Sequence, residues 1–287
     1  IAPALYSLGQ IFGLLCLPAS WGIYRLGWGV LLGSLLHLLV QVPMLARVGF
    51  RYAGPAGWKM PEVREVFRLF APRVLGVAAV QANFLVNTII ALGLQPGSTS
   101  AIVAAFALML VPEAAIAQSL AIASLPAFSA QVALGKLDEM RASLASTLRG
   151  VLFLALPASL GLILLRTPLV RLLYENGAAF TEESTRMVAW GLLWYAVGLV
   201  GHSVVEIVSR AFYALHDTRT PVIVTTAAML LNIGLSFLFR DWFSAWGWLP
   251  LGGLALANSL SAFLEMSALL ALMRRRVRGL GGRALLS

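Results

Sequence analysis

The stretch MVAWGLLWYAVGLVGHSVVEIVSRAFY, residues 187–213, decides the fold of this chain. It carries only two charged side chains, Glu206 and Arg210, in a run longer than the roughly 20 apolar residues that a membrane-spanning helix needs. Seven further segments share this apolar character: about 2–20, 27–46, 71–94, 98–129, 150–166, 220–239 and 249–272. The sequence therefore predicts an all-α polytopic membrane protein with about eight transmembrane helices.

The overall composition excludes several other classes of protein. Of the 287 residues, 60% are hydrophobic and 11% are charged, whereas a soluble domain carries about 25% charged residues. This composition excludes a soluble enzyme and a disordered chain. The single cysteine, Cys16, excludes an internal disulfide and a cysteine-based metal site.

The positive charges are distributed unevenly over the loops between the predicted spans. Of the 21 Lys and Arg residues, 16 fall on one set of alternate loops and in the tail, and 5 fall on the other set. Cytoplasmic loops carry the excess of Lys and Arg, so both ends of this sequence are predicted to be cytoplasmic. The net charge of +9 is then a topology signal and not a signature of nucleic-acid binding. The minority side also carries a predicted interfacial aromatic belt that includes Trp242, Trp246 and Trp248.

One of the predicted spans is unusually long. A continuous helix over 98–129 would be roughly 48 Å long, well beyond a hydrocarbon core of about 30 Å, so we expect it to be tilted or broken, at Pro112 or Pro126.

The cytoplasmic segments 61–70 and 137–149 are amphipathic, which is typical of helices lying on the membrane surface. The alternative for both segments is a linker helix that packs on its own protein.

Charged residues inside spans are costly and normally face a cavity or a partner. His202, Glu206 and Arg210 follow at intervals of four, on one helix face. They form either a proton relay or headgroup contact, or a self-neutralising Glu–Arg pair. Glu113 directly follows Pro112 and either lines a cavity or pairs with a neighbouring helix. A third carboxylate, that of Glu265, is expected to extend towards Arg274–Arg276.

Amide side chains inside two spans are the remaining candidates for a polar interior. The third span carries Gln81, Asn83 and Asn87, and the seventh carries Asn232 with Ser236 four residues later. Amides facing lipid are unfavourable, so these groups are expected to face inward. They either bond neighbouring helices or line a polar path.

Signatures of catalysis are missing from the sequence. It has no H-E-x-x-H, G-x-S-x-G or phosphate-binding loop, and its three histidines fall in separate segments without ligand spacing. Glu182 and Glu183 could serve a membrane glycosyltransferase, but the stretch TEEST (181–185) is more typical of a helix cap. We therefore predict no enzyme, no catalytic residue, no metal site and no cofactor.

Four stretches resemble one known family. QVPMLARVGFRY (41–52), PLVRLLYENGAAFTEEST (168–185), RAFYALHDTRTPV (210–222) and GGLALANSL (252–260) are similar to the murein biosynthesis MurJ (MviN) family. Its members are lipid II flippases of the multidrug/oligosaccharidyl-lipid/polysaccharide exporter superfamily. The resemblance covers nearly the whole chain and is most specific in the FYAL-x-DTRTP loop.

The resemblance implies an organisation and a function. Family members have about 14 membrane helices in two lobes, and this chain resembles the fifth to the twelfth, without the first four helices and their arginines. It implies an inner-membrane flippase for lipid II, a lipid-linked peptidoglycan precursor, working by alternating access among membrane lipids and possible cell-wall synthesis partners. The implied divisions are the end of the N-lobe (1–46), a cytoplasmic linker with an amphipathic helix (47–70), the C-lobe (71–272) and a basic cytoplasmic tail (273–287).

Two departures from the family pattern leave alternatives open. The arginine of the family pattern R-L-M-x-x-P is replaced by Ala107, and no carboxylate stands near Asn87 and Ser236, where some members have one attributed to a sodium site. The loss of the cationic position favours a related exporter of another lipid-linked oligosaccharide or of drugs. A non-transporting membrane scaffold for cell-wall synthesis is the third possibility.

Overall fold

The structure of the chain is a computed structural model that describes residues 2–47, 49, 74, 78, 80–175 and 180–277. The predicted amphipathic helix at 61–70, nearly all of the predicted linker 47–70, and residues 278–287 of the predicted tail lie outside the described residues.

Every regular element among the described residues is a helix, which confirms the predicted all-α fold class. A 3₁₀ turn, Ala19–Trp21, follows the first α-helix, and a π-helical turn, Glu113–Gln118, joins the fourth to the fifth. The α-helices are α1 (Ala2–Cys16), α2 (Tyr24–Arg47), α3 (Val80–Leu92), α4 (Ser98–Pro112), α5 (Ser119–Ala133), α6 (Leu137–Tyr174), α7 (Glu182–Ala214), α8 (Arg219–Ala245) and α9 (Leu251–Arg276).

Six helices in the described part of the chain are long and apolar enough to cross a membrane. One of them is the continuous run of α4, the π turn and α5 (Ser98–Ala133), and the others are α2, α6, α7, α8 and α9. Two shorter apolar helices, Ala4–Cys16 and Val80–Leu92, coincide with the remaining predicted spans. The chain is therefore polytopic.

The chain divides into two compact units, residues 1–67 and 68–287. In the first unit, glycines of α1 pack directly against glycines of α2. A Cβ atom added at Gly9 would lie 2.3 Å from Gly33 Cα, and one added at Gly13 would lie 2.5 Å from Gly29 Cα. Small residues allow such close approach of helix backbones in membranes. This hairpin therefore depends on the absence of side chains at its contact.

In the second unit, α7 is the central helix. It packs against α4, the π turn, α5, α6, α8 and α9. Its first half joins an apolar cluster through Leu192 and Leu199, and its last turns join a second cluster through Ile207 and Phe212. His202 lies between these two apolar parts of α7.

The structure decides two questions of helix continuity. The α-helical pattern changes at one of the two predicted prolines, since α4 ends at Pro112 and the π turn begins directly after it, whereas Pro126 lies inside α5. The segment 137–149 is not a separate helix on the membrane surface, since it is the first part of the 38-residue α6. Its apolar residues Met140 and Leu144 are fully buried in the second unit, so the protein itself covers this face.

Candidate functional site

An amide network joins α3 to α8 inside the second unit. Asn83 Nδ2 donates hydrogen bonds to Asn232 Oδ1 (2.8 Å) and to the carbonyl oxygen of Met229 (3.0 Å). Asn87 Nδ2 donates to the same Asn232 Oδ1 (2.9 Å), and Ser236 Oγ donates to Asn87 Oδ1 (2.9 Å). Asn83, Asn232 and Ser236 are buried. These four uncharged side chains therefore hold two helices together where lipid-like surroundings make an unmade hydrogen bond costly.

One donor of the amide network is unpaired within the described part of the chain. Asn232 Nδ2 is buried and has no hydrogen-bond partner among the described residues. Gln81, the remaining amide candidate, is exposed on α3 and does not join the network.

His202, Glu206 and Arg210, which we call the polar ladder of α7, do not all contact one another. Glu206 Oε2 lies 3.1 Å from Arg210 Nη2, at ion-pair distance but without hydrogen-bond geometry. His202 Nε2 instead lies 3.0 Å from Asn258 Oδ1 on α9. The structure thus brings Glu206 and Arg210 together, and it turns His202 towards a residue that the sequence pattern did not single out.

Two further carboxylates lie near this ladder. Glu113, the first residue of the π turn, is 7% exposed, makes no hydrogen bond or ion pair within the described chain, and lies within electrostatic range of His202 and Glu206. Glu265 of α9 is equally buried, lies within the same range and accepts a hydrogen bond of 2.6 Å from Thr225 Oγ1. We call Glu113, His202, Glu206, Arg210 and Glu265 the ionisable cluster.

The position of Glu265 corrects the sequence prediction, which directed this side chain towards Arg274–Arg276. The carboxylate is buried and bonded to Thr225 instead. Thr225 and Asn258 were both missed, because a hydroxyl or an amide gives no signal in the sequence until its partner on another helix is known.

A cavity of about 160 Å³ lies between the two groups of polar side chains. Asn83 and Asn87 of the amide network line it from one side, and His202 with Asn258 line it from another. Tyr195 and apolar residues of α3, α4 and α9 complete the wall. A polar path inside an otherwise apolar bundle is the arrangement expected of a transport protein.

Comparison with known proteins identifies the family. The family model described as "Lipid II flippase MurJ" matches residues 1–286 of the chain. The chain belongs to the MurJ lipid II flippase family. The sequence-based recognition is confirmed, and the chain is a multi-pass protein of the bacterial inner membrane.

Individual MurJ relatives support this assignment. The chain is 34% identical over 241 residues to a probable lipid II flippase MurJ of Vibrio cholerae, covering 84% of this chain and 45% of the relative. It is 29% identical over 284 residues to that of Bdellovibrio bacteriovorus, covering 98% of this chain and 53% of the relative. The chain therefore spans about half the length of the curated relatives that it matches.

A solved MurJ structure has the same fold. It is described as "Lipid II flippase MurJ, inward closed conformation" and superposes with a TM-score of 0.79 at 25% identity. The match covers 99% of this chain and 59% of the solved chain.

The position of Ala107 bears on how this MurJ-family chain departs from the family pattern. Ala107 and Val111 are exposed on α4, whereas Ala105 and Met109 are buried in the second unit. Position 107 therefore faces away from the interior of the unit. An arginine introduced there would lie on a different face from the buried Glu113.

Proposed function

We propose that the chain is part of a flippase that moves lipid II across the cytoplasmic membrane by alternating access. Family membership supplies the substrate class. The observation that supports transport is the cavity lined by Asn83 and Asn87 of the amide network and by His202 of the ionisable cluster. Membrane lipids surround the protein, and other cell-wall synthesis proteins are possible partners. The chain acts without catalysis in this proposal.

The proposal assigns roles to the polar side chains. Glu113, His202, Glu206 and Arg210 can change their charge or their pairing as the second unit moves, because only one close ion pair holds them in this conformation. Asn83, Asn87 and Asn232 hold α3 against α8, and Asn83 and Asn87 line the cavity beside them. The exposed Gln81 remains a candidate for contact with substrate or lipid.

The uncharged Ala107 favours a second candidate function, the export of a less anionic lipid-linked oligosaccharide or of a drug. An arginine guanidinium pairs with two phosphate oxygens at once, and alanine supplies no such contact. The two functions therefore make opposite predictions for the variant Ala107→Arg.

The test is made in the natural gene product. For a lipid II flippase, Ala107→Arg should raise the affinity of the purified protein for lipid II and improve rescue of a strain depleted of its own flippase. For another exporter, lipid II binding should stay flat and native transport should fall. Ala105→Arg, at a fully buried position, is the control for the general effect of an added charge. Absence of lipid II binding by the unaltered protein, with no rescue, would contradict the proposal and favour a scaffold.

The proposed orientation has its own test. With Cys16 replaced by serine, a cysteine at Lys136 should be protected from a membrane-impermeant thiol reagent in intact cells, and a cysteine at Glu182 should be labelled. Both positions are exposed and lie at the starts of α6 and α7. Labelling of the Lys136 site from outside would contradict the proposed cytoplasmic location of both ends of the sequence.

A further inference from the structure

A second and larger cavity, of about 640 Å³, opens at the end of the second unit where α7 begins and α8 ends. Side chains from the end of α6, the first turns of α7 and the connection between α8 and α9 line it. The charge distribution of the loops predicts that this end faces away from the cytoplasm. Cavities of roughly 300–1,000 Å³ with aromatic walls and a few polar groups are typical small-molecule sites.

One wall of this cavity is aromatic and fixed in place. Trp190 Nε1 donates a hydrogen bond of 3.1 Å to the carbonyl oxygen of Leu249, so the indole N–H is already used and the ring surface remains. Trp248 meets Trp190 edge to face, with centroids 5.7 Å apart. A Cβ atom added at Gly252 would lie 2.3 Å from Trp190 Nε1, so a glycine behind the ring is required for this position. The aromatic wall is therefore preformed.

The polar part of the cavity lining is balanced in charge. It carries two guanidinium groups, Arg166 and Arg186, and two carboxylates, Glu182 and Glu183. The Arg186–Glu183 pair is 3.9 Å apart, too far for a direct hydrogen bond, so both groups keep donors and acceptors available. The hydroxyl of Thr185, which also lines the cavity, is buried without a hydrogen-bond partner among the described residues.

The aromatic wall and the polar part of the lining together define the chemistry of a ligand. Glu182 is already paired with Arg171, and Arg166 Nη1 donates to the carbonyl oxygen of Ile163. An uncharged molecule rich in hydroxyl groups can use the groups that remain, which are the other Arg166 donors, the Arg186–Glu183 pair and the Thr185 hydroxyl. The aromatic rings offer an apolar surface to a partner that has an apolar face of its own. A pyranose ring has both properties, since its C–H groups form one face and its hydroxyls form the edge.

We propose that this cavity binds an uncharged saccharide of one or two rings, as the site that receives the sugar part of a lipid-linked glycan. The identity of that glycan rests on the proposed function, but saccharide binding itself does not. No bond is made or broken at the site. Thr181 caps α7 by accepting a hydrogen bond from the Ser184 amide, and Arg171 holds Glu182, so Glu183 is the carboxylate left for binding on the first turn.

The experiment uses the purified natural protein in detergent and the soluble disaccharide of N-acetylglucosamine as the probe. Binding is followed by saturation-transfer NMR and by tryptophan fluorescence. Trp248→Ala, which removes a partly exposed ring, should weaken binding about tenfold or more, consistent with the loss of an aromatic contact worth about 1.4 kcal/mol. Glu183→Gln should weaken it less. Trp246→Ala is the matched control, because its ring lies beside that of Trp248, at 5.2 Å, but does not line the cavity.

Several outcomes would overturn the inference. They are the absence of disaccharide binding, an equal loss in Trp246→Ala and Trp248→Ala, or binding of phosphoethanolamine in its place, which would identify a site for a zwitterionic lipid headgroup. If lipid II still binds the unaltered protein and Trp248→Ala leaves that affinity unchanged, the inference fails while the proposed function stands. If the disaccharide binds and lipid II does not, the inferred saccharide site stands and the proposed function fails.

Discussion

Asn83 and Asn87 of the amide network and His202 of the ionisable cluster line the same 160 Å³ cavity, but the network and the cluster are built on different principles. In the network, three amides and Ser236 share hydrogen bonds of 2.8–2.9 Å between α3 and α8, and none of these side chains is charged. In the cluster, Glu206 alone is paired with Arg210, Glu265 is bonded to Thr225, and Glu113 makes no hydrogen bond within the described chain. The comparison teaches that a network of shared hydrogen bonds fixes helices, whereas a cluster with an unpaired buried carboxylate is suited to change during the proposed transport cycle.

The largest expected effect comes from breaking the ion pair of the cluster. Glu206→Gln leaves the Arg210 charge without its partner and should lower the free energy of unfolding in detergent by about 2–3 kcal/mol, less than for a fully buried pair because both side chains are 27% exposed. The double variant Glu206→Gln/Arg210→Gln should recover most of this loss. The exposed pair Lys136–Glu139 is the control, since Glu139→Gln should cost below about 0.5 kcal/mol. Additive losses in the double-mutant cycle would show that Glu206 and Arg210 are not coupled.

A smaller loss is expected when the network loses its shared acceptor. Asn232→Leu keeps a similar volume but removes the oxygen to which Asn83 and Asn87 donate, and should cost about 1–3 kcal/mol of unfolding free energy. This cost should not vary with pH, because no group of the network titrates. Thr88→Val on the same helix, which removes a bond only to its own backbone, should have little effect. A loss in Asn232→Leu that matches this control would show that the network does not hold α3.

The smallest effect is expected at Asp217, which lies in the connection between α7 and α8, outside the membrane-spanning helices. Partial burial raises the pKa of Asp217, but the Thr220 amide and hydroxyl donate to its carboxylate and Arg276 attracts it, so the net pKa is lowered. A lowered pKa means that the stabilisation is complete above the ordinary carboxyl pKa and is lost as the pH falls through the lowered value. Asp217→Asn keeps an acceptor oxygen for Thr220 but removes the charge that attracts Arg276, so it should cost below about 1 kcal/mol at neutral pH. The variant and the unaltered protein should converge in acid; a constant difference down to pH 2 would contradict this role.

The membrane helices could be predicted from the sequence because each apolar run carries its own signal. The partners inside the bundle could not. His202 and Asn258 are separated by 56 residues and Thr225 and Glu265 by 40, so no local pattern connects them. The pattern at 137–149 was compatible with two surroundings, since the same apolar stripe can lie on lipid or pack on α7. Burial by protein is a tertiary property that spacing alone does not contain.

The π turn after Pro112 has a consequence for the phase of the helix that follows. Buried residues recur at every fourth position, Ala105, Met109, Glu113, Ala117 and Ala121, whereas an α-helix has 3.6 residues per turn and would rotate such a series steadily away from α7. The π turn acts as a one-residue insertion that resets this rotation by about 100°. Deleting one residue between 113 and 118 would turn the buried face of α5, including Phe128, towards lipid. The alignment of this whole helix with α7 thus depends on a single additional residue beside Glu113.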